Sequence, residues 1–242
     1  MISKSLLILT LISITTLVAR GFDHSAYDAV LKKYVDSEGL VDYAGLAKDR
    51  TALDAYLVRT GAVPEATFKS WSEAEQLAFL FNVYNAETLQ FIIDNYPVES
   101  IKKLGGLLSS PWDKKVVSLF GSETTLNKVE HSILRGDDYD EPRLHFALVC
   151  AAISCPPLRR EAYTAAKLDA QLDDQAKVFL AQSDKNGIKG DTLYLSKIFD
   201  WYGADFESGD DDLVDYLTRY WGRGIVGKDV EFTDYNWGLN EQ

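Results

Sequence analysis

The chain has 242 residues, of which 46% are hydrophobic and 26% charged, and a formal net charge of −12. That composition is ordinary for a folded domain. The acidic balance repels phosphate backbones and anionic headgroups, which excludes nucleic acid as a partner.

The elements begin with an address. Lys4 is followed by an almost unbroken apolar run, Ser5 to Ala19, closed by Arg20. The run has the length of a signal-peptide core and is short of the about 20 apolar residues that a bilayer span needs. Small residues at Ala19 and Gly21 offer cleavage after either one. Residues 1–21 therefore read as a signal peptide and 22–242 as a single globular domain, periplasmic or secreted. No second apolar run of spanning length follows, so no stable membrane insertion is expected once the signal is removed.

Helices are predicted over Ser25 to Val35 and Tyr43 to Thr60, the second with Leu46, Leu53, Tyr56 and Leu57 at helical spacing. Ser72 to Tyr96 is the strongest element. Ser72 and Glu75 form a capping-box signature, Pro97 closes the segment, and the middle, Leu77 to Ala86, is apolar nearly all round. Such a helix belongs in the centre of a core. A short helix through Ile101 and Leu104 follows. Lys115 to Phe120 reads as a strand with Gly121-Ser122 as its turn, and Asn127 as the cap of a short helix through Val129, Ile133 and Leu134. His145 to Ile153 is apolar throughout, strand or buried helix. Leu168 to Ala181 and Asp211 to Trp221 read as helices, Asp191 to Leu195 and Asp229 to Thr233 as strands, and Asn186-Gly187 as a turn. Helix outweighs strand and the two are partly segregated, so the expected class is α+β: mostly helical, with the central buried helix packed on a small, mainly antiparallel sheet.

Four segments place polar groups among apolar ones. Glu75, Asn82 and Asn85 share one face of the central helix. The amides of Asn82 and Asn85 either tie a neighbouring loop to the helix or orient a histidine or bind a substrate carbonyl. His131 follows Glu130, but adjacent helical side chains diverge, so the two are not expected to pair directly. The run from Arg143 to Leu158 holds His145 and both cysteines of the chain, Cys150 and Cys155. A thiolate needs a base or positive charge nearby, for which His145, His131, Arg143 and Arg159 are candidates. A Cys150–Cys155 disulfide is the structural alternative. His145, Cys150 and Cys155 fit no zinc spacing, and neither metal nor cofactor is expected. The fourth segment, Leu195 to Phe206, brings Asp200, Trp201 and Tyr202 as candidate walls of a pocket.

Together these motifs resemble the family known as domain of unknown function 547. The resemblance rests on Gly39-Leu40-Val41-Asp42-Tyr43, Ala78 to Ala86, Val129 to Arg135, His145 to Cys150, Ser154 to Leu158, Leu195-Ser196, Phe199 to Tyr202 and Asp205-Phe206, in order to the C-terminus. Leu80 departs from the pattern, which has tryptophan there, a change expected to reshape a wall. The resemblance implies a fold-sized unit and these site candidates, without a reaction.

Two functional readings follow. One is a thiol-dependent hydrolase or acyl transferase, papain- or transglutaminase-like by analogy, with Cys155 or Cys150 as nucleophile, His145 or His131 as base and Asn82 as an orienting or oxyanion-stabilising amide. Asn85, Glu75, Arg143, Asp200, Trp201 and Tyr202 would then contact a peptide or cell-wall-derived ligand. The other is a non-catalytic binding or scaffolding module with the two cysteines bridged.

Overall fold

A computed structural model describes residues 21–106 and 109–242; residues 1–20, and with them almost all of the predicted signal peptide, lie outside the described residues. The first core forms around α5 (Glu73–Ile93), and the capping box starts it as the sequence predicts: the Ser72 hydroxyl accepts from Glu75 N and the Glu75 carboxylate accepts from Ser72 N. Phe79, Leu80, Phe81, Val83 and Ala86 are fully enclosed, because α1 (Ser25–Tyr34), α2 (Tyr43–Lys48), α3 (Thr51–Gly61) and α4 (Glu65–Phe68) wrap the helix. The predicted Tyr43–Thr60 helix is two helices. Asp49, at the break, accepts from Lys33 and Tyr34 of α1, and Arg50 pairs with Asp54 and Asp94. The apolar spacing runs through the break because both helices bury their faces in one core.

A hairpin, β1 (Val117–Leu119) and β2 (Ser122–Thr124), closes this core beside α3, with Phe120 and Gly121 at its turn both at positive φ. α6 (Leu126–Lys128) is capped by Thr125 rather than Asn127, and runs into a π-helical turn, Val129–Leu134. α7 (Leu144–Ala147) is a single turn, and the rest of the predicted His145–Ile153 run joins no strand: it turns at Ala151 (φ 60°) and makes one isolated bridge, Ala152 to Leu239.

The second core contains Phe146, Phe179, Leu193, Leu195, Phe199, Phe206 and Leu217. They come from α7, α8 (Leu168–Leu180), β4 (Thr192–Leu195), α9 (Lys197–Tyr202) with its 3-10 extension Gly203–Phe206, and α10 (Leu213–Trp221). β4 pairs antiparallel with β3 (Gly187–Lys189) and parallel with β5 (Asp229–Phe232). Asn186 ends the turn that precedes β3, with Gly187 already in the strand, and its buried side chain accepts from Ser196 N and donates to Phe179 O, fixing β3 and β4 to α8.

The fold is α+β and mostly helical. The expected single sheet under the central helix is instead two small sheets, one per core. Among the described residues no helix is long and apolar enough to cross a membrane. The two cores meet at residues 144–149, where Leu144 and Ala147 to Val149 face the core of α5 and Phe146 faces the second. His145 sits on that seam.

Candidate functional site

Where the two cores meet, a cleft of about 290 Å³ opens, with His131, His145, Cys150, Cys155, Trp201 and Tyr202 in its walls. Each wall is held from behind. Asn85 of α5 donates to Ala147 O and accepts from Val149 N, so the helix fixes the strand-like segment that carries His145 and Cys150. Ala151 at φ 60° turns the chain back between the cysteines, and Cys150 N donates to Cys155 Sγ at 2.9 Å. Beyond Cys155, Gly39 (φ 81°) packs on Pro157 so closely that a β-carbon there would lie 2.5 Å from Pro157 Cβ. Only glycine satisfies both conditions.

The histidines belong to one polar chain. His145 Nε2 lies 2.7 Å from an oxygen of Asp205, and the Arg135 guanidinium grips the same carboxylate through Nε and Nη2. Arg135 Nη1 reaches His131 Nδ1 at 2.7 Å. A guanidinium only donates, so His131 accepts at Nδ1. An ionised Asp205 only accepts, so His145 donates from Nε2 and its Nδ1 is left as the basic nitrogen. Burial works to raise the Asp205 pKa, but the bonds from His145 and Arg135 outweigh it and hold the group well below the usual carboxylate range. Burial lowers the His145 pKa despite the carboxylate, so this imidazole, 4% exposed, is neutral at pH 7. Tyr202 stacks on it at 4.2 Å between ring centroids.

Opposite this chain, Trp201, Tyr235, Trp237 and Trp112 form a continuous aromatic wall with neighbouring centroids 4.5–5.8 Å apart. Tyr84 donates to Glu130, whose other oxygen is 3.9 Å from His131 Nε2, too far for a hydrogen bond.

Cys150 and Cys155 are joined in a disulfide, so neither offers a thiol in this state. Tyr235 Oη lies 3.2 Å from both sulfurs. Burial raises the Tyr235 pKa well above the ordinary phenol value, so the group is a donor.

Six of the sequence candidates lie elsewhere, among them Arg159, which pairs with Glu161 and Asp174. Asn82 uses both ends of its amide on the backbone of Tyr163. Asn85 is spent behind the wall, as described. Glu75 serves the capping box and accepts from Gly21 N, near the start of α5. Arg143 pairs with Glu141 and Asp169, and Asp200 with Lys197. Asn82 is therefore no oxyanion-hole amide for this cleft; like Asn85, it ties a loop to the helix. Leu80 is fully buried in the first core and shapes no wall of the cleft. Conversely, Asp205, Arg135, Glu130, Tyr84, Tyr235 and Trp237 were not among the candidates. The Asp205-Phe206 and Val129 to Arg135 motifs contained three of them, but only tertiary contact distinguishes Asp205 from the many other surface acids.

Residues 68–180 match the family described as Protein of unknown function, DUF547. The match runs from the last residue of α4 to the end of α8. It includes His131, His145, Arg135 and the cysteines, whereas Asp205 and most of the aromatic wall lie C-terminal to it. No curated protein and no solved structure matches the chain.

Proposed function

We propose that this DUF547-domain chain is an exported binding protein whose cleft takes a peptide or the peptide part of a cell-wall fragment. The observation that carries this reading is the Cys150–Cys155 bridge in the cleft wall. With both sulfurs engaged, no thiol nucleophile stands there, yet rings and hydrogen-bonding groups still converge. Trp201, Tyr235 and Trp237 offer apolar faces for a side chain, and Glu130, His131, Ser110 and Asn127 offer donors and acceptors for the backbone beside it. A cleft of this size lies at the small end of ligand sites and suits one or two side chains. The bridge also favours export, because disulfides persist in oxidising compartments.

Trp112, Trp201 and Trp237 line the cleft, so ligand occupancy should change the intrinsic fluorescence. Titration with peptides and with peptidoglycan-derived stem peptides should give a saturable change. Trp201→Ala should weaken binding about tenfold, the loss of one aromatic contact. A set of such ligands that leaves the emission unchanged, in a protein folded by circular dichroism, overturns the reading.

A second reading, a thiol-dependent hydrolase or acyl transferase, is favoured by one observation: Asp205 orients His145 with its Nδ1 basic, in the same cleft as Cys150. It requires the bridge to be reduced. Reduced protein mixed with an activated ester should then accumulate an acyl group on Cys150 or Cys155, visible by mass, and His145→Ala should slow its formation. A reduced, folded protein that takes up no acyl group removes this reading.

A further inference from the structure

We infer that the Cys150–Cys155 bridge is a thiol–disulfide exchange site that accepts electrons from a dithiol client entering the cleft. This goes beyond peptide binding and does not need the hydrolase. Two observations carry it, the place of the bridge and the asymmetry of its two sulfurs. Exposed disulfides are the ones most open to exchange. This one lines the cleft, with Cys150 partly exposed and Cys155 only 3% exposed. A thiolate entering the cleft therefore meets Cys150 first.

The donors favour the same direction. Exchange is fastest when the departing sulfur is stabilised as a thiolate. Cys155 Sγ accepts from Cys150 N at 2.9 Å and lies 3.2 Å from the Tyr235 hydroxyl, a backbone donor and a phenol donor already in place where charge would appear. The Lys185 ammonium donates to Cys155 O at 2.9 Å and holds the residue from the other side. Among the described residues, Cys150 Sγ has the shared Tyr235 hydroxyl alone.

A client thiolate attacks Cys150 Sγ; a client–Cys150 disulfide forms, the Cys150–Cys155 bond breaks, and Cys155 leaves as a thiolate with the bond electrons. The second client thiol loses its proton to solvent or to the neutral imidazole of His145, and its thiolate attacks the client sulfur of the mixed disulfide. Cys150 is released as a thiolate, and the two cysteine thiolates take up the two protons. The client dithiol is oxidised by two electrons and the protein disulfide reduced by two. Return to the starting state needs a second partner bearing a disulfide.

The test uses the full mature chain in its bridged form. Glutathione is added under native conditions, the reaction is quenched with acid, and the mixed disulfide is located by peptide mass. The adduct is expected on Cys150, and the rate should rise in proportion to thiol concentration while far-ultraviolet circular dichroism stays native. Tyr235→Phe, which keeps the ring, should slow reduction about three- to tenfold, the effect of one hydrogen bond to the leaving thiolate, without lowering the melting temperature by more than a few degrees. A synthetic dithiol peptide should be oxidised at one disulfide per chain. Reduction at a rate independent of thiol concentration, which means that the fold must open first, overturns the proposal. So does an adduct on Cys155, or a Tyr235→Phe rate equal to that of the native chain. Binding of a cysteine-free peptide, measured in parallel, shows whether the binding reading stands when the exchange fails.

Discussion

Glu87 is a buried acid that no cation balances among the described residues. It lies on α5, 3% exposed, and one oxygen accepts from Ser118 N of β1 at 3.0 Å. Burial pushes its pKa from the ordinary value near 4.5 up to about 7, against the opposing effect of the Ser118 bond. The folded protein therefore holds this proton up to about pH 7, whereas the unfolded chain releases it near pH 4.5. The sign follows: the contribution to stability is fully present below about pH 4.5 and is lost as pH rises to about 7. Two and a half pH units at about 1.4 kcal/mol each give a loss of about 3 kcal/mol. Glu87→Gln keeps the acceptor for Ser118 and cannot ionise. Urea unfolding of both proteins from pH 4 to pH 8 isolates the effect, because the other titrating groups are common to both. The variant should gain about 3 kcal/mol on the native protein across that range, most of it between pH 4.5 and 7. A difference that stays flat across the range refutes the argument and means that Glu87 is ionised in the fold at a near-normal pKa.

Phe81, fully buried on the same helix, should cost about 3–5 kcal/mol on substitution by alanine, read by the same urea titration; a loss below about 1 kcal/mol would place the helix at the surface. Asp205→Asn removes the carboxylate that supports the proton on His145, so the imidazole pKa, followed by nuclear magnetic resonance, should fall further below the ordinary value. An unchanged titration would mean that Asp205 does not hold His145 in solution. Exported protein should begin at Arg20 or Phe22 on N-terminal sequencing, and a retained Met1 would rule out a cleaved signal.

What could be read in the sequence was local. The capping box of Ser72 and Glu75 and the all-round apolar stretch from Leu77 to Ala86 specify a buried helix, because both signals act within a few turns of one chain segment. The elements at Ser25, Leu168, Asp211 and Asp229 were legible for the same reason. The break at Asp49 was hidden, since the side chains that fix it belong to α1 and to the end of α5. So was the division of strands between two sheets, which depends on which short segments meet.

The site divides in the same way. Unusual residue types in an apolar run single out His145, Cys150 and Cys155, and the neighbouring aromatic run singles out Trp201 and Tyr202. An amide in an apolar helix says only that it must find partners. Sequence does not reveal that Asn82 finds Tyr163 and Asn85 the 147–149 segment. Asp205 lies 60 residues beyond His145 and in sequence is one acid among many. It becomes the partner of both His145 and Arg135 only because Phe206, next to it, is buried in the second core while Leu144 and Ala147, on either side of His145, are buried in the first. Packing two cores against one another sets that 2.7 Å contact, and no pattern within a single segment encodes it.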